Sequence, residues 1–388
     1  MSTQWQKNIA DRQQSLKSNS LWRSRREVAS AQQASITVND DSLVNFSSND
    51  YLGLANNPSL IKAAQQAVEQ WGVGSGASHL VCGHQSPHHQ LEERLANFVG
   101  AERALLFSTG YMANLAVATA LASKQDIILQ DKLNHASLID GARLSDAQFK
   151  RYAHTDIEHA ENILQRTEFD KALLMTDGVF SMDGNIAPLT ELKKLADNYQ
   201  GLLLVDDAHG LACMGQTGRG ALELSGLSPQ DNVLLMGTLG KAVGSFGAFV
   251  AGDASYIEQL IQSARSYIYT TAMPPGVAAT SLASIELIEQ GGAQMRSALQ
   301  HNINHFKEGV LRLGLTLMPS DSAIQPLVLG DEERAIRLSD ALYDQGFLVT
   351  AIRPPTVPKG SARLRFTLSA PHSLKQIDEL LSVLREVA

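Results

Sequence analysis

Four apolar residues in a row, Leu202 to Val205, run directly into two carboxylates and a histidine in LLLVDDAHG, and that junction restricts the folds open to this chain. An all-apolar run of this length suits a strand buried on both faces, and such strands belong to parallel sheets covered by helices. Asp206 then falls at the carboxyl end of its strand, where open α/β sheets place their ligands. Further on, a second apolar run, NVLLMGT, leads into LGKAVGSFG, whose glycines let the backbone around Lys241 approach closely. An acid and an amine therefore converge on neighbouring strand ends.

That pair suits pyridoxal phosphate (PLP), which a lysine holds as a Schiff base and an aspartate faces at the ring nitrogen. The phosphate needs its own partner. In ALLFSTGYMANLAVATALA the pattern predicts a strand over Ala104 to Phe107, a turn through Ser108, Thr109 and Gly110, and a helix from about Tyr111. Such a turn aims free N–H groups and a positive dipole end at one point. Turns of this kind are also ordinary strand-to-helix connections, so the signal gains weight only from the lysine and the aspartate.

The rest of the chain keeps a β-α cadence. NDYLGLANNP ends in Asn57 and Pro58, a cap and first-turn proline for a helix with Ile61, Ala64 and Val68 inward. A second helix follows with Leu91, Leu95, Phe98 and Val99 on one face, and a third over Leu189 to Tyr199. His135 lies in the polar loop DKLNHASLIDGA after a strand, and Ser181 follows the strand in KALLMTDGVFSMDG, so both can face the same crevice. His79, His84, His88 and His89 lack metal-ligand spacing and read as surface or capping residues. A long helix from Pro275 to Leu313 is expected to break at Gly291 and Gly292, before a small α+β block closed by a Ser373/Gln376 capping box.

At 388 residues the chain is long enough for two domains. A net charge of −8 argues against nucleic acid or an anionic membrane as main partner, and two cysteines are too few for a disulfide framework. MSTQWQKNIADRQQ has no apolar signal-peptide core, so a soluble cytoplasmic protein is expected. The arginines of LWRSRR suit a solvated face or, equally, an anionic substrate.

Together NFSSNDYLGL, STGYMAN, TDGVFSMDG, VDDAHG, GTLGKAVG, YTTAMPP and IRPPTVPKGSARLRFTLSA resemble the α-oxoamine synthases, PLP enzymes of the aspartate aminotransferase fold, fold type I, over most of the chain from Asn45 onward. The polar start of the chain reads as an amino-terminal arm over 1–45, and the change from β-α alternation to an α+β block puts a boundary near 285, between a large parallel-sheet α/β domain over 46–285 and a smaller α+β domain over 286–388; the resemblance implies a homodimer with active sites at the subunit interface. By the same resemblance Lys241 carries the cofactor and acts as base, Asp206 pairs with the pyridine nitrogen, His135 lies against the ring and also serves catalysis and substrate, and His209 reaches the phenolic oxygen. Gly110 and Tyr111 offer N–H groups to the phosphate, Ser181 and Thr238 add polar contacts, and Thr271 completes the phosphate cup from the other subunit. Arg365, with Asn49 nearby, resembles the anchor of the amino-acid carboxylate, and Arg23, with Arg25 as rival, the substrate arginine of the arm.

IRPPTVP, with Arg353 and Thr356, favours the branch that joins L-alanine to a pimeloyl thioester of CoA or acyl-carrier protein with loss of CO2, over branches that use glycine or serine. Asp177 departs from the glutamate that many members of that branch carry. An aminotransferase on the same fold, or a PLP-fold protein without catalysis, are the other readings of the same residues.

Overall fold

The apolar runs become strands, as their burial requires, in the computed structural model of the protein, which describes residues 3–18, 21–230 and 232–387. A hairpin of β1 (Ser35–Val38) and β2 (Asp41–Asn45) comes first. It is followed by β3 (Arg103–Phe107), β4 (Ile127–Asp131), β5 (Gln148–Tyr152), β6 (Ala172–Asp177), β7 (Leu202–Asp206), β8 (Val233–Thr238) and β9 (Ala248–Gly252). These last seven form one sheet in the order β3-β9-β8-β7-β6-β4-β5. Every residue of β4, β6 and β9 is buried, because helices cover both faces.

The sheet is mixed, where the sequence predicts a parallel one. β5, β4, β6, β7 and β8 run parallel, but β9 is antiparallel to both β8 and β3. The cause is the short connection from Leu239 to Gly247, since a parallel return needs a crossover of about a dozen residues or more. Lys241 therefore sits in a tight hairpin connection. Gly244 N–H donates to the Lys241 carbonyl at 2.8 Å, and Leu239 N–H to the Gly247 carbonyl at 2.8 Å.

Toward the carboxyl end, β10 (Ile324–Gly330), β11 (Phe347–Leu348), β12 (Thr350–Ile352) and β13 (Ala362–Thr367) belong to a smaller carboxyl-terminal domain. β10, β13 and β12 form an antiparallel sheet, whereas β11 pairs in parallel with β2. Residues 35–45, expected within the arm, are thus built onto this domain, with Ile36, Val38 and Leu43 buried against Tyr343 and Leu348. The helix Gln4–Ser18 and residues 21–34 match the picture of an arm, with none of their residues buried.

Helix signals fared unevenly. The caps at Asn57 and at Ser373/Gln376 are present, with Ser59 N–H donating to Asn57 Oδ1 at 2.9 Å and Gln376 N–H to Ser373 Oγ at 3.2 Å. The helix Pro275–Arg312 passes Gly291 and Gly292 unbroken. Gly292 is buried there, and the packing of the long helix outweighs a glycine cost of about 1 kcal/mol. In the helix Pro58–Trp71 the inward residues are Leu60 and Ala67, while Ile61 and Val68 are exposed, one position off the expected stripe. Val68 instead lies along the start of the helix Pro275–Arg312, where a Cβ on Gly276 would stand 3.4 Å from Val68 Cγ2. The segment read as a polar loop after β4 holds a helix, Ala136–Leu144, with His135 as its N-cap. Among the described residues no helix is long and apolar enough to cross a membrane.

Gly244 has φ +70°, and a Cβ there would meet the Leu54 carbonyl carbon at 2.5 Å. Gly244→Ala is expected to cost roughly 2–3 kcal/mol of stability, read as a lower thermal midpoint at matched scan rate. An unchanged midpoint would show that the Lys241 turn tolerates a side chain here.

Candidate active site

Three neighbouring strand ends deliver the site. β6 ends at Asp177 and β7 at Asp206, the two being partners in register, and Asp207 follows directly. All three are buried, so each needs hydrogen-bond donors. Asp177 accepts from His135 N–H at 2.7 Å. Asp206 accepts from the Asn114 amide at 2.7 Å and from Ala208 N–H at 3.1 Å, and Asp207 from Ala221 N–H at 2.7 Å. Burial, reinforced by the Asp206 charge, raises the Asp177 carboxyl well above its ordinary value. Burial likewise pushes Asp207 up to about 8.

Lys241 faces this acidic floor. Burial lowers its amine to about 8, against the opposing pull of Asp206 and Asp177. Its Nζ lies 2.8 Å from Nε2 of His209, whose other ring nitrogen is 2.5 Å from the Tyr51 hydroxyl. Burial first, and Lys241 second, hold His209 well below its ordinary value, so the ring is neutral. A buried amine with a lowered pKa beside a neutral imidazole is an activated nucleophile and proton carrier.

The Tyr51 hydroxyl also lies 3.2 Å from Asn49 Oδ1, which accepts from Arg365 Nη2 at 3.3 Å. Arg365 Nε donates to the Ser181 carbonyl at 2.7 Å, so Ser181, Asn49 and Arg365 come together as expected. Thr238 Oγ1 donates to the Gly247 carbonyl at 3.1 Å and accepts from Gly240 N–H at 3.3 Å, bracing the Lys241 connection. Gly110 and Tyr111 open the helix Gly110–Leu121, where N–H groups have no intrahelical carbonyl. The Tyr111 hydroxyl donates to Asp140.

The remaining expected residues lie apart. Arg23 and Arg353 line one cleft of about 590 Å³ with Trp22, Arg26 and Thr350. Thr356 is exposed on the loop after Arg353, and Thr271 is exposed as well. Among the described residues no hydrogen bond joins Arg23, Thr271 or Thr356 to the Lys241 cluster. Of the four clustered histidines, His88 is a buried cap: Nδ1 accepts from Gln85 N–H at 3.0 Å and Nε2 meets the Met273 carbonyl at 2.7 Å.

Three participants went unassigned from sequence: Tyr51, Asn114 and Ser137. Tyr51 and Asn114 lie within NFSSNDYLGL and STGYMAN, and a lone asparagine among the apolar residues of ANLAVATALA is the one local signal that could have marked a buried amide.

The chain belongs to the aminotransferase class I and II family, whose model matches residues 41–384. Within it the chain stands among the 8-amino-7-oxononanoate synthases: the one from Hydrogenovibrio crunogenus is 54% identical over 368 residues, 94% of this chain and 92% of that protein. Among solved structures, serine palmitoyltransferase from S. paucimobilis with PLP and myriocin bound is 30% identical, with a TM-score of 0.93 over 100% of this chain and 98% of that one. The 8-amino-7-oxononanoate synthase of Francisella tularensis is 34% identical, with a TM-score of 0.78 over 89% of this chain and 97% of that one.

The raised Asp207 carboxyl has a consequence for stability. Its pKa rises from 3.8 unfolded to about 8 folded, so between those values the folded protein binds the extra proton and loses stability as pH rises. Asp207→Asn, an isostere of the protonated acid, is expected to gain thermal midpoint relative to the parent from pH 5 to pH 8. A difference independent of pH would mean that Asp207 is ionised throughout.

Proposed function

We propose that this protein catalyses the condensation of L-alanine with a pimeloyl thioester, of CoA or acyl-carrier protein, to give 8-amino-7-oxononanoate, CO2 and the free thiol, a PLP-dependent acyl transfer of biotin biosynthesis. The observation that carries this reading is Lys241, an amine with a pKa near 8 set among buried carboxylates and a neutral histidine.

The residues fit PLP by their chemistry. Lys241 suits its aldehyde carbon, Asp206 its ring nitrogen and His209 its phenolic oxygen, while Gly110 and Tyr111 offer N–H groups to its phosphate. Gly110 lies close under this end of the helix, since a Cβ on it would stand 3.2 Å from Met236 Cε. When bound, PLP supplies a protonated conjugated ring that accepts the electron pair freed at the amino acid's Cα and again at decarboxylation.

The chain's own residues do the rest. Arg365 and Asn49 hold the alanine carboxylate, fixing which Cα bond faces Lys241. Lys241, neutral in a usable fraction near pH 8, takes the α-proton, and arginine could not replace it because it stays charged. Asp206, anchored by two donors, would pair with the ring nitrogen. His135 would lie against the ring of the bound cofactor. Arg23, Arg353 and Thr356 receive the acyl donor, and a cleft carrying three arginines suits its anionic carrier.

A homodimer completes the site in this reading. Exposed apolar residues Val73 (78%), Val81 (78%) and Tyr269 (72%) support it: they flank Thr271 in segments tied together by Ala272 N–H to the Ala77 carbonyl at 3.0 Å. We place the enzyme in the cytoplasm, consistent with free Cys82 and Cys213.

Product identification by mass tests the proposal. L-alanine with a pimeloyl thioester should yield 8-amino-7-oxononanoate, and Arg365→Ala should raise KM for alanine by about tenfold or more, as expected for a lost charge-assisted contact. Turnover of glycine or serine with another acyl thioester, and none of alanine with the pimeloyl donor, would assign the protein to a sister branch.

A further inference from the structure

Asn114 reaches both halves of the proposed site at once. It is buried on the helix Gly110–Leu121, and its amide nitrogen donates to Asp206 Oδ2 at 2.7 Å and to Ser137 Oγ at 2.9 Å. Its Oδ1 is buried without a partner. The amide orientation follows from Asp206: turned over, the amide would set oxygen against a carboxylate and leave both N–H groups unpaired, a costlier arrangement than one orphaned acceptor. Ser137 Oγ, having accepted from Asn114, has one proton left to give, and its neighbour is His135 Nδ1 at 2.7 Å. Ser137 N–H points at the same ring nitrogen from 3.3 Å, which is the N-cap contact of the helix Ala136–Leu144. Two donors aimed at Nδ1 require a lone pair there, so the tautomer these contacts select carries its proton on Nε2.

We infer that Asn114 is a positioning residue for this reaction: with one amide it holds the Asp206 carboxylate and, through Ser137, fixes His135 as the Nε2–H tautomer. The inference rests on the functional reading above only in calling the site catalytic. Asp206 and His135 come from different strand ends, β7 and the loop after β4, and this amide links them. The Asp206 carboxylate is oriented by that amide donor. The exposed face of His135 is left as a hydrogen-bond donor. Without Asn114, Ser137 Oγ is free to accept instead of donate, and His135 can carry its proton on either nitrogen.

Imidazole ¹⁵N–¹H correlation spectra of the histidine-labelled protein prepared without PLP read the tautomer directly, with His135 assigned from His135→Gln. His135 should be the Nε2–H form in the parent, and Ser137→Ala and Asn114→Ala should each give a mixed or Nδ1–H signal. In the PLP-loaded enzyme both variants should lower kcat about tenfold, the scale of one hydrogen bond to a charged or reacting group, with KM for L-alanine moving less than about twofold, since Arg365 and Asn49 are untouched. Should Asn114→Ala fail to fold, Ser137→Ala alone decides the point. An Nδ1–H ring in the parent, or an unaltered tautomer in the folded variants, would overturn the inference. Absence of turnover in the parent would instead count against the functional reading, because the tautomer is read without cofactor or substrate.

Discussion

Asp177, Asp206 and Asp207 meet at the ends of two paired strands, and three ionised carboxylates cannot be buried together unless something answers their charge. The protein answers in three ways. Backbone and amide donors from His135, Asn114, Ala208 and Ala221 bind the oxygens. Protonation removes charge, with Asp177 and Asp207 both raised. The Lys241 amine faces what remains. Asp206 is held by two of those donors, the Asn114 amide and Ala208 N–H. The glycines of TDG, AHG and GRG follow from the same constraint: a Cβ on Gly178 would lie 2.8 Å from Asp207 Oδ1, and Gly210 and Gly220 approach that carboxyl as closely.

This floor dictates how the rest of the chain is recruited. The β8 to β9 reversal brings Lys241 over the strand ends, and Gly244 lets that turn rest against Leu54. Tyr51, three residues earlier, links His209 to Asn49, and Asn49 accepts from Arg365 of β13 in the small domain. Segments before, within and after the large sheet therefore share one hydrogen-bonded line from Lys241 to Arg365. A substrate carboxylate held by Arg365 would be connected to the amine through neutral groups, so charge at one end is felt at the other without a buried counter-charge between them.

What could be read in the sequence was the part dictated by local chemistry. A buried strand must be apolar, and a carboxylate directly after one must lie at its end, so Asp206 and the Lys241 loop were legible without any relative. Ser181 was legible from its place just after a strand, Asn49 and Arg365 became legible through the resemblance to α-oxoamine synthases, and the three converge. Strand direction was harder: nothing in AFVAG distinguishes parallel from antiparallel, and only the length of the Leu239 to Gly247 connection decides it. The helix at Ala136 was hidden because histidine is an unusual N-cap, and its capping atom is a ring nitrogen whose tautomer depends on Ser137 and Asn114. Gly291 and Gly292 suggested a break, but the long helix, packed along one side, runs through them, and Ile61 and Val68 were misplaced by one position because Leu60 and Ala67 form the buried stripe.

The central claim, that Lys241 over Asp206 forms a PLP site, is tested most directly by adding PLP to the protein, reducing with borohydride, and locating the label by peptide mass. A single pyridoxyl group on Lys241, absent in Lys241→Ala and weakened in Asp206→Ala, is the result this account predicts. Label spread over surface lysines, or none at Lys241, would contradict it.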